Sequence, residues 1–265
     1  MSEIEPGTVV GGVRIDAVIG RGGMGVVYRG HQLALNRTVA VKVVRTDLAQ
    51  SGEFRERFTQ ECEIAASLDH PHIVGVYAAG EDAGRLFVTM RHVDGTDLRD
   101  MIADRGRLDP ALATEVIDQI GGALDAAHRR GLVHRDVKSA NILLTTVDGR
   151  PHAYLTDFGL SRAIDAEGRL TRTGTAIGSI DYMAPEQFEG GQLDGRVDVY
   201  ALGCVLYQAL TGEVPFPRDT EPAKIWAHMQ QEPPSLAAVA PEVPAGLDPV
   251  LRRAMAKRPA DRFAT

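Results

Sequence analysis

The chain has 265 residues, 44% of them apolar and 25% charged, with a formal net charge of −7 at pH 7. That length is enough for two cores, and the composition is that of an ordinary globular protein rather than a disordered or fibrous one. The negative balance argues against a nonspecific grip on nucleic acid, which needs a basic face, but it does not forbid a local basic site.

The first residues, Met1-Ser2-Glu3-Ile4-Glu5, are acidic where a signal peptide is basic and then apolar. Val9 to Ile19 reads as a strand with a Gly11-Gly12 break. Gly20-Arg21-Gly22-Gly23-Met24-Gly25 then matches G-x-G-x-x-G, which dinucleotide-binding folds also carry. Context separates the readings. Val26-Val27-Tyr28, a turn at Leu35-Asn36-Arg37-Thr38 and the β-branched run Val39 to Val44 follow. The glycines therefore join two strands, whereas a Rossmann unit would open a helix there. A Walker A loop is excluded, since no Gly-Lys-Ser/Thr follows. Lys42 interrupts the apolar run, as an edge lysine that snorkels to water or as a cation with a job. Residues 53 to 68 read as a helix, with Phe54, Phe58, Cys62, Ala65 and Leu68 on one stripe. Among its glutamates (Glu53, Glu56, Glu61 and Glu63), Glu61 adjoins the inward face. Leu86 to Met90 is a further strand, and the polar run Arg91 to Gly95 marks a boundary.

Beyond it the pattern is mainly helical. Asp109-Pro110 is a helix start, with Leu112, Val116, Ile120, Leu124 and Ala127 as the buried stripe and Gly131 as the stop. His134-Arg135-Asp136-Val137-Lys138-Ser139-Ala140-Asn141 puts a carboxylate, two cations and an amide on one short loop. Those are the chemical types that phosphoryl transfer uses. Asp157-Phe158-Gly159 follows 21 residues after Asp136. Residues 169 to 179 are polar and rich in threonine, which predicts a mobile loop. Val199 to Leu210 is apolar on nearly every side, which predicts a helix buried in the centre. The longest candidate for a bilayer span, Val197 to Leu210, is shorter than the roughly 20 residues needed. Residues 213 to 249 read as loops around a short helix near Trp226, and Thr265 falls in what reads as a last helix. Cys62 and Cys204 are the two cysteines. They form neither a disulfide framework nor a zinc spacing, and they suit a reducing compartment.

The glycine loop, Val39-Ala40-Val41-Lys42, the octet, Asp157-Phe158-Gly159 and Ala184-Pro185-Glu186 together resemble the signature set of protein kinases. From about residue 15 onward the chain is similar to a Ser/Thr kinase catalytic domain, and its glycine loop resembles actinobacterial members. The resemblance implies an α+β, bilobal fold: an antiparallel β N-lobe with one main helix (1–90) and a mostly helical C-lobe (91–265). It implies that Ile19, Gly20, Arg21, Gly22, Gly23, Met24 and Gly25 surround the phosphates of ATP. Val27, Ala40 and Leu143 would sandwich the adenine, with the Arg91 carbonyl and Val93 N–H on its edge and Met90 behind. Lys42 would bind the α and β phosphates, held by Glu61. The His70-Pro71-His72-Ile73-Val74 stretch also selects Glu61, which stands about ten residues ahead of it.

By the same resemblance Asp136 takes the substrate hydroxyl proton and Lys138 meets the γ-phosphate. Lys138 points to a Ser/Thr acceptor. Asn141 and Asp157 would hold Mg²⁺, with Mn²⁺ as an alternative. Thr171 and Thr173 would be autophosphorylated, ahead of Thr175, and Arg135 would sense them. Ser179 would face the acceptor, Asp198 would brace the catalytic loop, and Arg262 would pair with Glu186. Protein substrates follow as partners, nucleic acid does not, and a homodimer through the N-lobe stays open. The implied location is cytoplasmic, free or as the cytoplasmic domain of a membrane-anchored protein. Two departures stand out. Ser139 replaces a common Pro, with local hydrogen bonding expected to keep the turn. Arg91-His92 replaces a common Glu and aromatic pair. A scaffold that binds ATP without turnover is the other class, and nothing in the residues favours it.

Overall fold

The structure, a computed structural model, describes residues 3–49, 51–158, 180–191 and 193–265. They fall into two compact units: residues 3–69 and 74–94 with Phe158, and residues 70–73, 95–157 and those from 180 onward. Residues 70–73 thus group with the second unit rather than with the stretch that precedes them.

The first unit is a six-stranded antiparallel sheet in the order β1-β2-β3-β4-β6-β5. Its strands are β1 Val9–Val10, β2 Val13–Gly22, β3 Gly25–Gln32, β4 Arg37–Val44, β5 Val76–Asp82 and β6 Arg85–Arg91. Period-two alternation along β2 and β4 sends Val13, Ile15, Val39, Val41 and Val43 to one face, where they bury Tyr28 and Phe87. Helix α1, Gly52–Ala66, starts at Ser51, whose hydroxyl accepts the Phe54 N–H at 3.2 Å. It buries Phe54, Phe58, Glu61, Cys62 and Ala65. The apolar stripe therefore sets the rotation of the helix, and one carboxylate is carried inward with it.

The second unit is helical around α3, Pro110–His128, and α5, Arg196–Thr211. Helix α3 is capped by the Asp109 carboxylate, which accepts the Ala111 N–H at 2.9 Å. Its buried stripe is Ala113, Val116, Ile120, Ala123, Leu124 and Ala127, so Ala113 takes the place expected of Leu112, which is half-buried. Helix α5 buries residues around its whole circumference, among them Val197, Tyr200, Cys204, Val205 and Leu210.

The stretch after Gly95 is mainly helical, as expected, with a small second antiparallel sheet of β7 Thr96–Asp97, β8 Ile142–Val147 and β9 Arg150–Leu155. Two expectations need correction. Residues 213–249 hold more than one helix: α6 Glu221–Gln230, α7 Leu236–Val239 and the start of α8 Leu247–Ala254. The end of the chain is a 3₁₀ turn at Pro259–Asp261 with irregular residues after it, not a helix. The remaining helices are α2 Leu98–Arg105 and α4 Pro185–Glu189. Among the described residues no helix is long and apolar enough to cross a membrane.

Candidate active site

In the first unit the predicted phosphate loop is the tip of the β2–β3 hairpin, closed by the pair Gly22↔Gly25. A Cβ on Gly25 would lie 2.0 Å from the Val43 carbonyl oxygen, so the close approach of β4 requires glycine there. Gly22 is different: a Cβ would meet nothing within 4 Å. Its missing side chain answers to no neighbour among the described residues. Gly20 lies over Val27, and Ile19 is exposed. The Arg21 guanidinium is held by Glu3, with Nε 2.8 Å and Nη2 2.6 Å from Oε1. Arg45 donates to the Gly23 carbonyl at 3.5 Å and its own N–H to Met24 O at 2.9 Å.

Behind the loop, Lys42 pairs with Val27 across β3–β4 and is only 6% exposed. Its ammonium lies 3.9 Å from the Met24 sulfur. Glu61 is 3% exposed, while Glu53, Glu56 and Glu63 are exposed. The thiol of neighbouring Cys62 reports on both charges. Burial, then the Glu61 carboxylate, push its pKa up to about 12, and Lys42 opposes them. Ala40 and Met90 are buried partners across β4–β6, Arg91 is exposed, and Val93 is half-buried.

In the second unit the octet is a loop with a fixed centre. Lys138 Nζ is 2.6 Å from Asp136 Oδ2. The Asn141 amide nitrogen donates to the Asp136 carbonyl at 2.8 Å and to its Oδ2 at 3.2 Å. Those two bonds fix which way the Asn141 amide faces, because only its nitrogen can donate. His134, fully buried, accepts the Asp136 N–H on Nδ1 at 3.3 Å and donates from Nε2 to Thr156 O at 2.9 Å. Arg135 has φ +66° and Asp157 has φ +65°, a left-handed backbone that non-glycine residues seldom adopt.

That strain is held from outside the loop. Asp198, in the first turn of α5 and fully buried, accepts the His134 N–H and the Arg135 N–H, each at 2.8 Å. Its Oδ2 also receives His128 Nε2 at 2.7 Å. The Arg135 carbonyl accepts Gln187 Nε2 at 3.1 Å, so its peptide groups are tied on both sides. Arg262, 3% exposed, forks onto Glu186 at 2.6 and 2.8 Å and also donates to Arg196 O, Ala256 O and Lys257 O. This is the bidentate, fully satisfied geometry in which a buried ion pair holds. Leu143 is half-buried on β8.

Ser139 departs from the expected local bonding. It opens the 3₁₀ turn Ser139–Asn141, but its hydroxyl meets the Tyr182 hydroxyl at 3.0 Å, which in turn donates to Gln208 at 2.7 Å. Burial pushes the Tyr182 pKa up to about 12. His128 and Gln187 were not foreseen. His128 closes the apolar stripe of α3 and reads as helix end, and Gln187 reads as a capping residue, a role it also fills by accepting the Ala184 N–H at 3.0 Å. Gly159, Thr171, Thr173, Thr175 and Ser179 lie outside the described residues.

Comparison with known proteins gives the family and the fold. The family model described as protein kinase domain matches residues 13–264. The serine/threonine-protein kinase PknD of Mycobacterium tuberculosis is 44% identical over 266 residues, 99% of this chain and 40% of PknD. PknH of Mycobacterium bovis is 42% identical over 259 residues, 98% of this chain and 43% of PknH. The chain thus spans about two-fifths of the length of these curated relatives. A crystal structure of the Mycobacterium tuberculosis PknI kinase domain superposes with a TM-score of 0.81 at 36% identity, over 99% of this chain and 94% of that one. Rad53 residues 1–466, solved in complex with AMP-PNP, superposes with a TM-score of 0.79 at 26% identity, over 95% of this chain and 62% of that one.

Proposed function

We propose a function from one premise: the chain belongs to the protein kinase domain family. It is a serine/threonine-protein kinase domain that moves the γ-phosphate of ATP onto Ser and Thr hydroxyls of protein substrates. The observation that carries this is the Asp136 carboxylate, held by Lys138 and Asn141 on a loop whose backbone Asp198 braces. A carboxylate fixed within the reach of a hydroxyl can take its proton as the oxygen attacks phosphorus, and the electrons of the breaking P–O bond leave with ADP. Lys138, on the same carboxylate, is placed to meet charge on the transferring group. The AMP-PNP of the Rad53 structure supports ATP as donor. So do the open space beside Gly22 and the buried cation of Lys42, which would hold the α and β phosphates with Glu61 orienting it.

Mg²⁺, with Mn²⁺ as the alternative, would be held by Asn141 and Asp157. The amide nitrogen of Asn141 is committed to Asp136, which leaves a carboxamide oxygen and a carboxylate, the hard donors this ion takes. When bound it neutralises phosphate charge. Thr171 and Thr173 are the autophosphorylation sites. The Arg135 Nε is buried with no hydrogen-bond partner among the described residues, which suits it to a phosphate. Ser179 takes part in recognition of the acceptor. Exposed Val9, Leu33 and Leu35 on the first unit support a homodimer there. Reduced, buried Cys62 and Cys204 fit a cytoplasmic setting.

The test is transfer from [γ-³²P]ATP with Mg²⁺ to a generic basic protein. The expected label is on phosphoserine and phosphothreonine and disappears with EDTA. Label on tyrosine alone, or nucleotide binding without transfer, would refute the reading.

A further inference from the structure

The residues ahead of β1 are anchored rather than loose. Ile4 is 6% exposed in the core cluster with Val10, Val13 and Tyr28, and its N–H donates to the Tyr28 hydroxyl at 3.1 Å. Gly7 N–H to Ile15 O and Ile15 N–H to Thr8 O, both 2.8 Å, tie the segment to β2. Glu3, next to that anchor, holds Arg21 through two bonds to one carboxylate oxygen, at 2.8 and 2.6 Å. Arg21 stands between Gly20 and Gly22 and pairs with Val26, whereas Gly20 faces Val27. Alternation along a strand puts Arg21 on the opposite face from those two glycines. Glu3, Arg21, Val26, Arg45 and Asp47, together with the backbone of Gly22 and Gly25, line a cleft of about 690 Å³.

We propose that Glu3 is a positioning residue: through Arg21 it restrains the glycine loop from its outer face and so prepares it to receive the phosphates of ATP. The proposal rests on the ATP reading of that loop. Glycines leave a hairpin tip with more backbone freedom than any other residue does, and that freedom must be lost when a ligand is gripped. A strap whose root is Ile4, in the core, removes part of it beforehand, which is preorganisation. The restraint comes from the face that carries Val26, not the face that carries Val27, so it does not occupy the ligand's side. Both side chains are well exposed, 65% for Arg21 and 48% for Glu3. The effect is therefore modest, a change of about two- to fivefold.

The experiment uses Glu3→Gln and Glu3→Lys in the full chain, with two readouts. Hydrogen exchange of the residue 20–25 amides, without nucleotide, should quicken about two- to fivefold in Glu3→Gln and more in Glu3→Lys. Steady-state kinetics should show a KM for ATP raised by a similar factor, with kcat within about twofold. The Glu3→Lys, Arg21→Glu double variant should return loop exchange toward the wild-type rate. Unchanged exchange in Glu3→Lys, an unchanged or lower KM, or a double variant that exchanges as fast as Glu3→Lys each overturns the proposal. If the wild-type chain does not bind ATP, the ATP reading itself falls. If it binds ATP and the variants match it, only the role of Glu3 falls.

Discussion

The two loops that carry the candidate chemistry are held in different ways. In the second unit the octet is braced by buried charge: Asp198, fully buried, accepts three hydrogen bonds of 2.7–2.8 Å, two of them from the loop backbone. In the first unit the glycine loop is held by strand pairing and by ion pairs in water, such as Arg21–Glu3 and Arg45–Asp47. On the proposed function, the difference follows from what each must do. A proton-accepting carboxylate loses its use when displaced by about 1 Å, so its support is worth burying. A loop that must admit and release a ligand gains from contacts that water can replace.

The contrast can be broken first at Asp198. Alanine there leaves two loop N–H groups and His128 without their acceptor. We expect a stability loss of about 3–5 kcal/mol by denaturant titration and a loss of transfer of about 100-fold in the fraction still folded. A loss of stability alone, with the folded fraction fully active, would show that the brace does not position Asp136. Arg262→Met comes next. It strands Glu186 and should cost about 3 kcal/mol, read as a lower Tm, with a smaller effect on KM for ATP than on kcat, because the pair serves the second unit.

His228 sharpens the comparison within the second unit. It is fully buried, its Nδ1 is 2.9 Å from the Tyr200 hydroxyl, and burial, reinforced by the Lys257 charge, holds its pKa down at about 4 against an ordinary 6.5. The unfolded chain therefore binds the proton more readily than the folded one. Stability is full above pH 6.5 and falls as the pH drops toward 4, by on the order of 3 kcal/mol. His228→Phe should flatten that part of the pH–stability curve, and an unchanged slope would show that other groups govern it. The smallest effects are those expected at Glu3, where water competes for both partners.

Much of this was legible in the residues, for physical reasons. The stripe of α1 put Glu61 beside the inward face, and burial of one glutamate out of four is what the stripe dictates. Hairpin context around Gly20 to Gly25 separated a strand–strand turn from the helix-opening turn of a Rossmann unit, and the paired strands bear that out. The β8–β9 hairpin was missed although its signal was present. Asp148-Gly149, both with positive φ, is a two-residue turn, and Val147 pairs with Arg150 across it. The edge strand β5 is harder, because Val76–Asp82 carries alanine, glycine and two carboxylates in place of a β-branched run. His128, Gln187 and the Ser139–Tyr182 bond could not be read at all. Their partners lie 70, 52 and 43 residues away, and no local pattern encodes a contact of that range.

The most direct measurement of the central claim is phosphoryl transfer by Asp136→Asn beside the wild-type chain, with ATP affinity measured on both. Asparagine keeps the shape of the side chain but is a far weaker base. The account predicts transfer reduced by roughly 10²–10⁴ with ATP affinity and Tm little changed. Near-normal transfer by the Asp136→Asn variant would contradict it.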